Sequence, residues 1–176
     1  MHGDTRLEHE RRWIGDPHAL ARLELKPFRK LLDDRYLACG RLRLRSMIDT
    51  DTGRRVLKLT KKLESDSPRS RPIVTIRLSE SEYEALRTLE GFNLRKRRHY
   101  FDRGDDTFSV DVFEGDLEGL VTCEIEADSP EALERIASPP EMGVEITEDP
   151  FFFGGQLSRV TREELLARLA AVGASG

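Results

Sequence analysis

Arg41-Leu42-Arg43-Leu44-Arg45 alternates arginine and leucine with a strict period of two. A helix would spread those arginines around its axis, whereas a strand puts them all on one face and the leucines on the other. The pattern recurs along the chain. Glu8, Glu10 and Arg12 stand two apart near the N-terminus, and Lys58, Thr60 and Lys62 follow the turn Asp49-Thr50-Asp51-Thr52-Gly53. Lys96, Arg98 and Tyr100 share one face of the stretch 92–101, Asp111 lies between Val110 and Val112, and Glu124 and Glu126 end a run from Leu120. At least five of these segments predict strands with a charged face backed by an apolar one, and in 92–101 Arg95, Arg97 and His99 share the second face.

A sheet with one wet face accounts for charge on a single strand. It does not account for the sorting of sign. Across a solvated face, opposite charges placed side by side are favoured and like charges directly opposite are destabilising. Here the basic faces are Arg41, Arg43 and Arg45, then Lys58 and Lys62, then Lys96 and Arg98; the acidic ones are Glu8 and Glu10, Asp111, and Glu124 and Glu126. Rows of like charge are stable where something of opposite charge binds. Guanidinium and ammonium groups hold phosphate oxygens through charge-assisted bonds, and clustered carboxylates supply oxygen ligands to Mg²⁺ or Mn²⁺. Closing the sheet into a barrel would gather both sets around one cavity and leave the apolar faces to pack outward against helices.

The intervening segments complete the expected architecture, an α+β fold. Residues 6–14 read as a strand ended by Gly15-Asp16-Pro17, and the stretch from Pro17 to Leu32 is expected to hold one or two short helices interrupted at Pro27. Arg41–Arg45 and Val56–Lys62 form a hairpin, Glu64 to Pro72 a mobile loop, and Ile73–Leu78 a further strand. Ser79 caps a helix from Glu80 to about Glu90, with Glu82 completing a capping box and Gly91 as its stop. Strands over Phe92–Phe101, Phe108–Phe113 and Leu120–Glu126 come next. Ser129-Pro130 starts a short helix that ends before Pro139-Pro140, Val144–Thr147 is extended, Phe151–Gly155 is an apolar turn, and Thr161–Val172 is a helix before a frayed end at Gly173–Gly176.

Composition narrows the classes. The 176 residues suit one folded domain spanning 1–176, and 35% charged residues interleaved with 38% apolar ones are polar without indicating disorder. A net charge of −4 argues against a general attraction to nucleic acid or acidic membranes. With no run approaching the roughly 20 apolar residues of a membrane span and no apolar signal core, a cytoplasmic protein is expected. Cys39 and Cys123 are expected to be reduced and buried, and His2, His9, His18 and His99 form no zinc-type pair.

In this ordered series the chain resembles the CYTH superfamily of triphosphate tunnel metalloenzymes, which includes class IV adenylyl cyclases, thiamine triphosphatases and inorganic triphosphatases. Glu8-His9-Glu10-Arg11-Arg12 matches the opening Glu-x-Glu-x-Lys signature except at its last position. The resemblance runs on through Asp34-Arg35-Tyr36-Leu37, Arg43-Leu44-Arg45, Lys58–Lys62, Lys96-Arg97-Arg98, Val110–Gly115, Leu117–Leu120, Glu124-Ile125-Glu126 and Glu145–Asp149. It implies a closed antiparallel barrel of about eight strands, a tunnel, with peripheral helices. It also implies a divalent-metal-dependent triphosphatase acting on inorganic, nucleoside or thiamine triphosphate, with Mg²⁺ or Mn²⁺ as cofactor. By position, Glu8, Glu10 and Arg12 would be catalytic; Arg41, Arg43, Arg45, Lys58, Lys62, Lys96 and Arg98 would bind substrate; and Asp111, Glu124, Glu126 and Glu145 would hold metal. An adenylyl cyclase of the class IV type and a non-catalytic triphosphate or polyphosphate-binding module are the alternatives. Two positions depart from the pattern. Arg12 replaces a lysine proposed as a general base and is too basic to release a proton near neutral pH, and Val74-Thr75-Ile76-Arg77 lacks the carboxylate pair often found on the middle strand. The resemblance leaves oligomeric state open.

Overall fold

The computed structural model describes residues 4–16, 21, 23–26 and 29–173. The strands are β1 (Asp4–Gly15), β2 (Lys30–Leu37), β3 (Leu42–Asp49), β4 (Arg55–Lys62), β5 (Ser70–Arg77), β6 (Gly91–Arg103), β7 (Asp106–Phe113), β8 (Val121–Ala127) and β9 (Met142–Glu145). The helices are α1 (Glu80–Leu86), α2 (Pro130–Arg135), α3 (Gly154–Leu157) and α4 (Arg162–Gly173).

The strands run in the order β5-β4-β3-β2-β6-β7-β8-β1, and β1 pairs back onto β5, so eight antiparallel strands close into a barrel with β9 added beside β1. Closure depends on the length of β1. Its first half pairs with β5, from Asp4 opposite Thr75 to His9 opposite Ser70, and its second half with β8, from His9 opposite Ala127 to Ile14 opposite Thr122. Closure leaves no unpaired edge within the barrel. The β3–β4 hairpin turns on Gly53 at φ +69°, a left-handed conformation that suits glycine, while the Asp49 carboxylate accepts the amides of Asp51 and Thr52.

The apolar faces point away from the barrel axis. Trp13, Phe101, Phe108, Val110, Cys123 and Ile125 pack with Leu133 of α2 on one flank, and Leu44 and Leu57 pack with Tyr83 of α1 on another. At one end of the barrel Phe152, Leu157 and Leu165 from the C-terminal segment close over Leu94 and Phe113. Each such buried side chain stabilises the fold by roughly 1.5–3 kcal/mol. The hydrophobic core is therefore a coat around the barrel, and the interior is left to charge.

Several sequence expectations change. Lys30 to Leu32, placed in a helical stretch, begin β2; that strand lacks alternation, reading Lys-Leu-Leu-Asp-Asp-Arg-Tyr-Leu, and is held by β3 on one side and β6 on the other. Helix α1 stops at Leu86, and Gly91 opens β6 because a Cβ there would lie 2.6 Å from the Tyr36 carbonyl oxygen. Residues 70–72, assigned to a loop, extend β5. Cys39 is exposed in the turn after β2, whereas Cys123 is buried. Of the stretch from Pro17 to Leu32 expected to hold helices, residues 21, 23–26 and 29 form no helix and 30–32 are strand, while residues 17–20, 22 and 27–28 lie outside the described residues, as does most of the expected frayed end, 174–176. Among the described residues no helix is long and apolar enough to cross a membrane.

Candidate functional site

Period two, applied to each strand of the closed barrel, turns the charged faces inward around a cavity of ≈ 880 Å³. Its lining reaches from Lys30, Met47 and Lys58 at one end of the strands to Arg41, Tyr36 and Gly155 at the other.

Carboxylates and cations interlock within it. Arg12 donates from Nε to Glu124 Oε1 (2.8 Å), from Nη1 to the Phe152 carbonyl (3.1 Å) and from Nη2 to Glu10 Oε1 (3.3 Å). Arg98 forks onto Asp111 at 2.7 and 2.6 Å and reaches Glu124 Oε2 at 2.7 Å. The Lys96 ammonium donates to the same Asp111 carboxylate. Lys62 Nζ lies 2.6 Å from Glu8 Oε2 and 3.4 Å from Glu10 Oε1. Arg45 makes a two-pronged bond to Asp34 at 2.5 and 2.6 Å.

These pairs set the protonation states. Burial works to raise the Glu124 carboxyl, but Arg12, Lys96 and Arg98 outweigh it and hold the group well below the usual carboxylate range. Burial likewise opposes ionisation of Asp34, yet Arg45 and then Arg43 push its pKa down to about 2. For Arg12, burial acts to lower the pKa and is overcome by Glu124 and Glu10, so the guanidinium stays charged.

Four lining cations have no carboxylate partner among the described residues: Arg43 on β3, Lys58 on β4, Arg71 on β5 and Arg159 between α3 and α4. The Nε atoms of Arg43 and Arg71 are buried and bonded to nothing, which leaves donors for an incoming acceptor. The Tyr36 hydroxyl lies close enough to Arg43 to favour its charged form. Burial, then Arg45, Arg77, Arg43 and Lys30, depress the Lys58 pKa, as expected of an ammonium surrounded by like charge.

The structure brings together Glu8, Glu10, Arg12, Arg43, Arg45, Lys58, Lys62, Lys96, Arg98, Glu124 and Glu126 around the cavity. Arg41 lies at one mouth, exposed and paired with Glu64 at 2.8 Å. Asp111 is wholly buried behind Lys96 and Arg98 and orients them without lining the cavity. Glu145, on β9, is held by Arg11 at 2.6 Å and Arg69 at 3.0 Å, away from the lining. Arg71 and Arg159 line the cavity without having been singled out by sequence. Arg71 was legible in part, since it continues the two-residue spacing of Ile73 and Thr75 backwards once β5 is known to start at Ser70; Arg159 sits outside any strand and carries no such signal.

A metal centre is not pre-formed. Among the described residues no group of three or more carboxylate, imidazole or thiolate side chains converges to hold an ion, because the inward carboxylates are engaged by cations. The donor chemistry at the β1–β8 seam nevertheless suits a hard divalent cation. Glu10 stands opposite Glu126 in register, and burial followed by the neighbouring Glu8 raises the Glu126 pKa despite Arg6, so added positive charge there is favourable. Asp111 and Glu145 do not join this seam.

A closed antiparallel tunnel with a buried, cation-rich interior defines the class of architecture to which the chain belongs. No family profile and no curated protein matches the chain in sequence. Solved structures do. Inorganic triphosphatase NE1496 is 24% identical with a TM-score of 0.54, covering 87% of this chain and 95% of its own. A candidate adenylate cyclase from Bacillus halodurans is 16% identical with a TM-score of 0.54 over 74% of this chain and 85% of its own. The PH1819 protein of Pyrococcus horikoshii is 18% identical with a TM-score of 0.52 over 72% and 82%. The fold is that of the CYTH superfamily, as the order of the sequence motifs implies.

Proposed function

We propose that the protein binds a triphosphate, inorganic or carried on a small molecule, inside the barrel and hydrolyses it with the aid of Mg²⁺ or Mn²⁺. One observation carries this reading: Arg43, Lys58 and Arg71 face the cavity with no carboxylate partner among the described residues, while a second set of cations is neutralised by carboxylates. Unneutralised buried cations call for an anion of high charge density, and two orphaned guanidinium donors suit phosphate oxygens. The Bacillus halodurans likeness and NE1496 make ATP and inorganic triphosphate the first members of a substrate panel.

In this reading the basic strands hold the phosphate chain and offset the charge that develops on its terminal oxygens. Arg12 contributes positive charge and cannot act as a base. Glu8, Glu10, Glu124 and Glu126 orient water near the chain. A divalent ion held by those same carboxylates would supply further neutralisation of phosphoryl oxygens.

The test uses purified protein with Mg²⁺ or Mn²⁺ and a panel of triphosphates. Phosphate release is expected for the parent and abolished in a Glu124→Ala, Glu126→Ala double variant; no release above that control sinks the proposal. A second reading, a triphosphate-binding module without turnover, is favoured by the arginine at position 12 and its three engaged bonds. Tight calorimetric binding with no phosphate release would select it. Formation of cyclic AMP from ATP in the same assay would select cyclase chemistry instead.

A further inference from the structure

We infer that a second cavity, on the outside of the barrel, binds a small zwitterion of the aliphatic α-amino acid kind. It shares no lining residue with the tunnel, so it stands independent of the function proposed for the interior.

Period two divides β2 between the two cavities. Lys30, Leu32 and Tyr36 line the tunnel, while Leu31, Asp33 and Arg35 face outward into a pocket of ≈ 430 Å³, within the roughly 300–1,000 Å³ of small-molecule sites. Tyr83 and Arg87 wall it on the side of α1, and Asn93 and Arg95 on the side of β6. Three of its four guanidiniums are already paired with carboxylates: Arg55 with Glu80 at 2.6 Å, Arg87 with Glu84 at 3.0 Å and Arg95 with Glu114 at 3.4 Å. Arg35 is not. Its Nε and Nη2 donate to the Leu89 carbonyl at 3.0 and 2.8 Å, and its Nη1 to Asn93 Oδ1 at 2.9 Å. These neutral acceptors fix the guanidinium, leave its charge uncompensated and leave two of its five N–H donors unused.

Asp33 is the complementary case. It is the carboxylate of the lining, exposed, and none of the four guanidiniums bonds to it; Arg95, opposite it in the β2–β6 register, turns to Glu114 instead. Asp33 and Arg35 therefore present one anion and one cation on the same face of β2, roughly 6–7 Å apart along the strand, each without a counter-charge among the described residues. A polyanion would satisfy Arg35 and be repelled by Asp33, and a simple amine the reverse. A ligand carrying an ammonium and a carboxylate satisfies both. Asn93, its Oδ1 taken by Arg35, keeps its amide N–H₂ as a further donor to the carboxylate. On the other side of Asp33, Leu31 stands opposite Ile48 in the β2–β3 register, both half-buried. They supply the apolar floor for an aliphatic side chain. An aromatic one gains less, since Arg55 already covers the Tyr83 ring at 5.2 Å.

The experiment is calorimetry on the full chain with leucine, with leucinamide, which lacks the carboxylate, and with isocaproate, which lacks the ammonium. Leucine is expected to bind about tenfold or more tighter than either analogue, the size of one charge-assisted contact. Asp33→Asn is expected to remove the advantage of leucine over isocaproate, and Arg35→Gln its advantage over leucinamide. If Arg35→Gln does not fold, because Arg35 also holds the Leu89 carbonyl, Asp33→Asn, altered at an exposed position, carries the comparison. Absence of leucine binding overturns the inference, as does equal binding of leucine and both analogues, or an advantage over isocaproate that survives in Asp33→Asn. Inorganic phosphate that binds tighter than leucine and is weakened by Arg35→Gln would make the pocket an anion site and overturn the inference as well.

Discussion

Arg12 holds Glu124 at 2.8 Å and Glu10 at 3.3 Å, joining the carboxylates of β8 and β1 through one guanidinium whose remaining donor is fixed by the Phe152 carbonyl. The strand that opens the barrel is thereby tied to the segment that covers its end. Replacing Arg12 with alanine leaves Glu124 to Arg98 alone and Glu10 to Lys62 alone and is expected to cost about 3 kcal/mol in urea denaturation. Arg12→Lys restores charge but cannot reach three acceptors with fixed geometry, and is expected to cost about 1.5–3 kcal/mol. A rise in triphosphate hydrolysis in Arg12→Lys, whose ammonium can give up a proton that a guanidinium cannot, would assign a base to position 12; an unchanged rate would limit position 12 to supplying charge.

Acid stability should report the Asp34–Arg45 pair. The folded-state pKa of Asp34 is pushed down to about 2 from 3.8, so its contribution is fully present above the higher value and is lost as pH falls through the lower one. That contribution is about 2 kcal/mol. Asp34→Asn is expected to flatten the pH dependence of unfolding between those values while lowering stability at pH 7, because Arg45 is left buried and unpaired. Denaturation at a series of pH values measures both effects, and an unchanged slope would remove Asp34 from the account of acid unfolding.

Lys58 gives a different pH signature. Surrounded by Arg45, Arg77, Arg43 and Lys30, its ammonium has a depressed pKa, and a bound polyanion favours the charged form and raises it again. Binding should therefore be accompanied by proton uptake, and affinity should fall as pH rises through the depressed pKa. Calorimetry in buffers of different ionisation enthalpy reads the uptake, which Lys58→Arg should abolish.

Metal removal should separate activity from fold. The ladders of β1 to β8 and the interior ion pairs need no metal to form, so a chelator is expected to abolish phosphate release with no fall in the melting temperature. A parallel loss of melting temperature would instead make the ion structural.

Gly154 makes room for Tyr36. A Cβ at that position would collide with the tyrosine hydroxyl, which lies near Arg43. Gly154→Ala is expected to destabilise the protein by about 1–3 kcal/mol and to weaken triphosphate binding through Arg43. Combining it with Tyr36→Phe, which removes the colliding hydroxyl, should recover part of the stability.

The period-two rows at 8–12, 41–45, 58–62, 96–100 and 124–126 were legible because alternation is a local property: a strand puts alternate side chains on opposite faces wherever it lies. In the rows 41–45 and 124–126 the opposite face is apolar, with Leu42, Leu44 and Ile125, which marks the charged face as the inward one; the other rows carry His9 and Arg11, Lys61, and Arg97 and His99 on the opposite face, and only pairing decides which set turns inward. Strand β2 escaped because Lys30–Leu37 does not alternate, and its conformation is imposed by pairing with β3 and β6. Partnership is likewise not local. Only closure of β1 onto β5 and β8 turned the faces inward, set Glu10 beside Glu126, withdrew Asp111 behind Lys96 and Arg98, and carried Glu145 to an added strand off the cavity. The sequence determined which residues carry charge and on which face of each strand; tertiary structure alone decided which charges neutralise one another, because ion pairing falls off over a few ångströms and those distances are set by strand order and register.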